Sequence, residues 1–438
     1  MASTNLQRWL EPRICAKRGE PARPKSVGEL LSISAYWLAT NVHWTALLVI
    51  VLPREVAKLS GSNQATALGG LMSIGAAVSL VVPLIFGPMS DRCASWLGRR
   101  RPFVISGTVV NLLGLALMYE GARLASFVGF LLGYLVVQIG NNVAMGAYNG
   151  VIPDLVEPGQ RGLASGFMGL MTQLGSAAGV VGAGVLMRQG YVQATYVLLG
   201  GVLAVMLGVT IARVREAPIE PVAQPLRWKP YLASLVSPLR HPDFRWVWIT
   251  RALVMLGFYT VQPYLQYYLR DVIGTPDPVG SAAKVFVIVL IGATISGLIG
   301  GWLSDRIGRK PVVYAANVLM ATMAIALVAC RNLEQALAVG VIFGLGYGAY
   351  ISVDWALGTD VLPSQEDAGK DMAVWHIAMV FPQSIASPIA GVVLAAFGHT
   401  GSGDSTRYHV SGYMAIFGIA AAFLILGAVL LRHVRGAR

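Results

Sequence analysis

Gly87-Pro-Met-Ser-Asp91-Arg92-Cys-Ala-Ser-Trp-Leu-Gly98-Arg99-Arg100-Arg101-Pro102-Phe103 lies between two long apolar runs and is far too charged to sit in hydrocarbon. The same device returns as Gly301-Trp-Leu-Ser304-Asp305-Arg306-Ile-Gly308-Arg309-Lys310-Pro311, again between apolar runs. Asp91 and Asp305 are 214 residues apart and Gly98 and Gly308 are 210 apart, so the first copy carries four extra residues. A basic turn repeated at half the chain length marks a duplicated membrane protein.

Composition points the same way. Of 438 residues, 55% are hydrophobic and 12% charged, whereas a soluble domain carries about 25% charged residues. A water-surrounded core cannot hide so much apolar surface, so lipid must be the solvent for part of it. Fifty glycines spread through the apolar runs suit helices that pack backbone to backbone. The net charge of +12 falls in short turns between apolar runs, which is topogenic charge, so no nucleic-acid partner is expected. Cys15, Cys93 and Cys330 have neither metal-ligand spacing nor the even count of a disulfide framework. The first 26 residues are basic and polar without an apolar core, so no signal peptide is expected.

Twelve runs reach the roughly 20 residues that a helix needs to cross a bilayer. They are 28–52, 65–87, 103–120, 125–150, 163–187, 191–212, 246–268, 282–303, 312–330, 335–357, 372–397 and 411–431. They are unbroken and lack period-two alternation, which excludes strands. With twelve passes, 24 Lys and Arg residues fall on one side and eight on the other. The richer side is expected to be cytoplasmic, with both termini there, in the cytoplasmic (inner) membrane. The expected organisation is a tail at 1–27, a six-helix half at 28–213, a linker at 214–245, a second half at 246–431 and a tail at 432–438. The linker is polar and holds Pro218, Pro221, Pro225, Pro230, Pro238 and Pro242. The halves also echo each other where their fourth spans close: Tyr148 and Asp154 in one, Asp354 and Asp360 in the other. Parallel halves with a site at their interface are a transporter arrangement.

A charge inside a span costs about 2.5–3.5 kcal/mol even on insertion scales, so each one is a functional candidate. Asp354 lies in span 10, flanked by Tyr350 and Trp355, and Arg251 lies about one turn into span 7. A buried Arg251–Asp354 pair would neutralise both charges and could make or break with cargo. The competing reading of Arg251 is snorkelling to the surface. His43 beside Trp44 and His376 beside Trp375 are candidate proton carriers, against the alternative of hydrogen-bonded packing. Amides recur in the spans: Asn41, Gln138, Asn141, Asn142, Asn149, Gln173, Gln262, Gln266 and Gln383. Gln138, Asn141, Asn142 and Asn149 are spaced 3, 1 and 7 and share one helical face. Any one amide is explained by interhelical bonding worth about 0.6 kcal/mol. Together with Trp44, Tyr148, Tyr259, Tyr264, Trp355 and Trp375 they suit a sugar, whose hydroxyls want neutral partners and whose C–H face stacks on aromatic rings. No phosphate loop, zinc ligand set or Ser–His–Asp grouping is present, so neither ATP drive, a cofactor nor an enzyme is expected.

The paired Gly-x-x-x-Asp-Arg-x-Gly-Arg-Arg/Lys turns and the twelve-span plan resemble the major facilitator superfamily across the whole chain. Within it, Ser90-Asp91-Arg92-Cys93 with Gly98-Arg-Arg-Arg-Pro102-Phe103 is similar to the sucrose–proton and glycoside–cation symporter branch. So are Trp44 nine residues before Pro53, and Asn141-Asn142 followed by Gly146 and Asp154-Leu155. The resemblance implies that Asp91, Arg92, Arg99, Arg100, Asp305, Arg306, Arg309 and Lys310 form a cytoplasmic latch released in one conformation. It also implies that spans 1, 4, 5, 7 and 11 line a central cavity. This chain departs from plant sucrose symporters in span 4, with Gln138 where they carry an acidic residue and Asn149 where they carry an arginine. The N-terminal coupling pair of that branch is therefore missing. The favoured expectation is a monomeric secondary transporter of a polar neutral solute by proton or other cation symport. An exporter of amphipathic compounds by proton antiport and a non-transporting ligand-binding or assembly factor of the same fold stay as alternatives.

Overall fold

A computed structural model of the chain describes residues 24–213, 228–362, 368–401 and 406–435. The apolar runs are helices throughout. In the first half, α1 (Val27–Ala46) passes through a π-helical turn, Leu47–Val51, into α2 (Leu52–Ser60). Then come α3 (Gln64–Asp91), α4 (Arg101–Arg123), α5 (Phe127–Tyr148), the short α6 (Val151–Leu155), α7 (Arg161–Arg188) and α8 (Val192–Arg213). A short helix α9 (Trp228–Val236) precedes the second half. That half comprises α10 (Pro242–Val261), α11 (Leu265–Asp271), α12 (Pro278–Ile307), α13 (Arg309–Ala329), α14 (Leu333–Asp360), α15 (Ala368–Ala396) and α16 (Val410–Leu430). Strands β1 (His399–Thr400) and β2 (Arg407–Tyr408) pair antiparallel between the last two helices.

Among the described residues, ten helical stretches are long and apolar enough to cross a membrane. The first, Val27–Asp91, is 65 residues long and contains the first two expected spans. The expected span 7, held by α10 and α11, is outside the ten. The described helices are thus consistent with twelve passes in two six-helix halves. The expected linker at 214–245 contains a helix, α9, and its end is four residues early, because α10 begins at Pro242. Proline is favourable in a first helical turn, where its missing N–H has no partner to lose. Residues 214–227, and the tail residues 1–23 and 436–438, lie outside the described residues.

The first helix starts with a capping box: Ser26 Oγ accepts from Glu29 N, and the Glu29 carboxylate accepts from Ser26 N. Each basic turn pivots on a glycine with positive φ, 103° at Gly98 and 95° at Gly308, where an L side chain would be strained. These turns hold the same triad twice. Arg100 bonds Asp91 (2.7 Å) at the end of α3 and Asp154 (2.5 Å) in α6, and it donates to Ser90 Oγ and Ala147 O. Arg99 also pairs with Asp154. Arg309 bonds Asp305 (2.5 Å) at the end of α12 and Asp360 (3.3 Å) at the end of α14, and it donates to Ser304 Oγ (2.7 Å). Both triads sit within their own half. Burial works against the charge on Arg100, but Asp154 and Asp91 prevail and raise its pKa above the ordinary guanidinium value.

The halves are joined chiefly at the face opposite the arginine-rich turns. Gln266 Nε2 donates to Val49 O (2.6 Å) and Ile50 O (3.1 Å), Gln262 Nε2 to Leu48 O (3.4 Å), and Tyr267 Oη to Pro53 O (2.9 Å). Proline explains the free acceptor: Pro53 has no N–H to give to Val49 O, so the carbonyl turns to Gln266. Tyr264 Oη reaches Ala65 O and Ser387 O, and Arg270 and Thr406 O both bond Gln64. Gly69 lets α3 approach this seam; an added Cβ there would lie 2.6 Å from Ser387 O. The molecule is closed at this face.

Candidate functional site

Two polar clusters stand on the two halves. In the first half, Gln138 of α5 spends its amide on three neighbours. Its Oε1 accepts from Ser79 Oγ (2.7 Å) and Asn142 Nδ2 (3.2 Å), and its Nε2 donates to Tyr134 Oη (2.7 Å). Asn142 Nδ2 also donates to Ser79 Oγ (2.9 Å). Trp44 of α1 stacks on Tyr134, with ring planes 8° apart and centroids at 6.5 Å. The cluster is neutral, hydrogen-bonded and floored by aromatic rings.

In the second half, Arg251 of α10 is ion-paired with Asp354 of α14, and both are essentially buried, at 3% and 2% exposure. Tyr350 Oη donates to the other carboxylate oxygen (3.1 Å), one helical turn before Asp354. The Arg251 guanidinium sits 3.4 Å from the ring centroid of Trp375 in α15, and its Nη2 reaches Met379 Sδ at 3.5 Å. Trp355, itself exposed, meets Trp375 edge-on with centroids 4.9 Å apart. Arg251 is therefore not snorkelling; it is held inside the half by a carboxylate, an indole face and a thioether. Asp354 lies six residues from the end of α14, about 9 Å of helix.

The other sequence candidates separate from these clusters. Tyr148 is a brace: its hydroxyl donates to Ile33 O and accepts from Tyr36 N, tying α5 to α1. Asn149 is on the expected side of α5, but exposed at the helix end, seven residues or about 10 Å beyond Asn142. Asn141 is half-buried and its Oδ1 has no partner. His43 is fully buried and neither ring nitrogen is hydrogen-bonded. His376 is exposed, one residue from Trp375 and within electrostatic reach of Arg251. Gln173 Nε2 bonds Thr294 Oγ1 (3.0 Å) across the halves, Gln262 belongs to the opposite-face closure, and Gln383 is buried in α15. Arg92 donates to Pro88 O (3.2 Å), Arg306 lies 3.9 Å from the Trp302 ring centroid, and Lys310 is half-buried beside Pro311. Ser79 and Tyr134 were not among the sequence candidates. Tyr134 is one turn before Gln138, as Tyr350 is before Asp354, and that repeated spacing is the signal that could have found it.

Membrane-length helices in two similar halves, each holding a buried polar cluster, are the build of a solute carrier of the membrane, not an enzyme. A profile described as MFS/sugar transport protein matches residues 56–434, and the chain belongs to that family. Among curated relatives, the sucrose transport protein SUT3 of Oryza sativa subsp. japonica is 24% identical over 442 aligned positions, covering 82% of this chain and 86% of that one. The probable nitrate/nitrite transporter NarK2 of Mycobacterium tuberculosis is 26% identical over 302, covering 67% and 71%. The sucrose transport protein SUC4 of Arabidopsis thaliana is 30% identical over 114, a match that spans 23% of this chain and only 22% of that protein. Among solved structures, a bacterial homolog of the human lysosomal transporter Spinster, inward-facing and occupied, superposes with a TM-score of 0.72 at 16% identity, covering 94% and 97%. That likeness establishes the fold alone.

Proposed function

We propose that the chain is a secondary active transporter that carries a polar neutral solute, a sugar or glycoside, by cation symport with alternating access. One observation supports this most: a neutral amide, hydroxyl and aromatic cluster on one half, and a buried titratable ion pair on the other. Ser79, Gln138 and Asn142 offer donors and acceptors in both senses, and Trp44 and Tyr134 offer a flat face, which is what a sugar ring can use. The relatives named for sucrose transport agree with that chemistry. Coupling enters through Asp354. While ionised it holds Arg251 and Tyr350; once protonated it loses the charge that anchors the guanidinium, so cation binding is converted into a rearrangement of α10 against α14. His376 is the candidate to pass the proton. Gln138 has no charge to give, so the N-terminal half binds and the C-terminal half couples.

In this reading the arginine-rich face and both termini are cytoplasmic, the membrane is the cytoplasmic one, and the structure is the state closed to the outside. The halves at 28–213 and 246–431 rock about the site, strapped by 214–245, and one chain suffices. The test is uptake into proteoliposomes under an imposed pH gradient, with labelled sucrose, aryl glucosides and nitrate. Gradient-driven sugar uptake that Asp354→Asn abolishes supports the reading. Sugar uptake indifferent to the gradient removes coupling. Nitrate uptake that sugars do not inhibit would replace the neutral solute by an anion, with Arg251 as its partner. No uptake of any of them would leave a binding protein.

A further inference from the structure

An apolar groove of about 310 Å³ opens between α12 and α13 at the arginine-rich end. Its sides include Ile299, Gly300 and Ile307 of α12 and Pro311 and Ala315 of α13, and Gly346 of α14 lies at its floor. The two walls barely touch each other, because each packs on α14 instead. The groove runs from Ser296 to Ile307, which is about 16 Å of helix. That is the depth of one leaflet, half of a hydrocarbon core of roughly 30 Å. Ile299 and Ile307 are exposed, as are Leu298 and Trp302 beside them, so this side faces lipid.

The corresponding place in the other half is plugged. Counted from the paired landmarks Asp91/Asp305 and Arg100/Arg309, Phe86 corresponds to Gly300 and Phe103 to Val312. Phe86 and Phe103 meet edge-to-face across the gap between α3 and α4, with ring centroids 6.3 Å apart. Gly300 and Val312 leave it empty.

Cations stand at the mouth. Arg306 precedes the groove residue Ile307, and Lys310 precedes Pro311. Arg306 is exposed and lies over Trp302, the residue type that settles at headgroup depth. Asp305, the adjacent carboxylate, is taken by Arg309, and among the described residues neither Arg306 nor Lys310 has a carboxylate partner. A slot for one acyl chain beneath two available cations is complementary to a lipid with a negative headgroup. We propose that the α12–α13 groove binds one anionic phospholipid, with its phosphate on Arg306 and Lys310 and an acyl chain along Gly300 and Ala315. The site does not depend on which solute the transporter carries.

The test is native mass spectrometry of the full chain in neutral detergent, mixed with equal phosphatidylglycerol and phosphatidylcholine of the same chain length. Retention of one phosphatidylglycerol in preference to phosphatidylcholine is expected. Arg306→Gln with Lys310→Gln should lower that preference about fivefold for each charge removed. Ala315→Phe, which puts a ring into the groove, should lower retention of both lipids, with the melting temperature of each variant confirming its fold. Arg92→Gln, the counterpart of Arg306 in the plugged half, should leave retention unchanged. Equal retention of the two lipids by the unaltered chain, wild-type preference in the double variant, or an equal loss in Arg92→Gln would each overturn the proposal.

Discussion

Arg251 divides one guanidinium among partners of three kinds: the Asp354 carboxylate, the face of Trp375 and the sulfur of Met379. An ion pair this deep returns little net stability, yet breaking it leaves an uncompensated buried charge, at a cost of about 3–5 kcal/mol. Asp354→Asn should therefore lower unfolding stability by that order while also abolishing uptake. The double change Arg251→Met with Asp354→Leu separates the two effects. It removes both charges, so chemical unfolding should find it close to wild type, whereas uptake stays absent. A double variant as unstable as the single one would mean that the pair holds the fold and not the cation. The neutral cluster makes a milder prediction. Gln138→Ala strands the Tyr134 hydroxyl, at about 1–3 kcal/mol if left unpaired, while Ser79 and Asn142 keep each other. Its measurable effect should be a raised KM for the solute with coupling to the pH gradient intact, because Asp354 is on the other half.

At the scale of the helix, the first span is where sequence and structure diverge most. Its apolar length was read from the sequence, whereas the Ser26–Glu29 cap was not. The π-helical turn at Leu47–Val51 was not readable, because Leu-Leu-Val-Ile-Val is equally good as α-helix and only the tertiary partner selects the wider turn. The partner is Gln266, an amide visible in the sequence whose acceptors are backbone carbonyls that no side-chain pattern records. The candidate site was legible to a similar degree. Asp354 and Arg251 stood out because hydrocarbon makes charges rare. Ser79 and Tyr134 did not, since either is ordinary in a span, and Asn149 was matched in angle around α5 but not in depth along it. The turn yields a test of the closure. Gln266→Leu removes two hydrogen bonds worth about 0.5–1.5 kcal/mol each, so the population closed at this face should fall by roughly 5- to 150-fold relative to the open one. Spin labels at Lys58 and Val410, both on the opposite face, should report a new longer distance. An unchanged distance distribution would show that the Tyr264, Tyr267 and Gln64 contacts suffice without it.

Across the whole molecule, duplication has kept a triad and changed its surroundings. Each half uses an arginine after the basic turn to clamp the ends of its second and fourth spans, yet the two clamps are unlike. The Arg100 side chain is 8% exposed and bonds two carboxylates, a hydroxyl and a carbonyl, whereas Arg309 is 22% exposed and its carboxylates Asp305 and Asp360 are 66% and 43% exposed. Water reaches every member of the second clamp, whereas in the first it reaches Asp91, 50% exposed, but little of Arg100 or Asp154. Arg100→Ala should thus cost about 1.5–3 kcal/mol, because Ser90 and Ala147 O lose a buried donor and Asp91 and Asp154 a shielded cation that Arg99 replaces only at Asp154. Arg309→Ala should cost at most about 1 kcal/mol. Salt sharpens the contrast. Raising ionic strength from 0.1 M to 1 M shortens the screening length from about 10 to 3 Å, which should erase what remains of the Arg309 effect and leave the Arg100 effect largely in place. Thermal unfolding of the two variants in detergent at both salt levels measures this. Equal, equally salt-sensitive losses would make the two turns interchangeable.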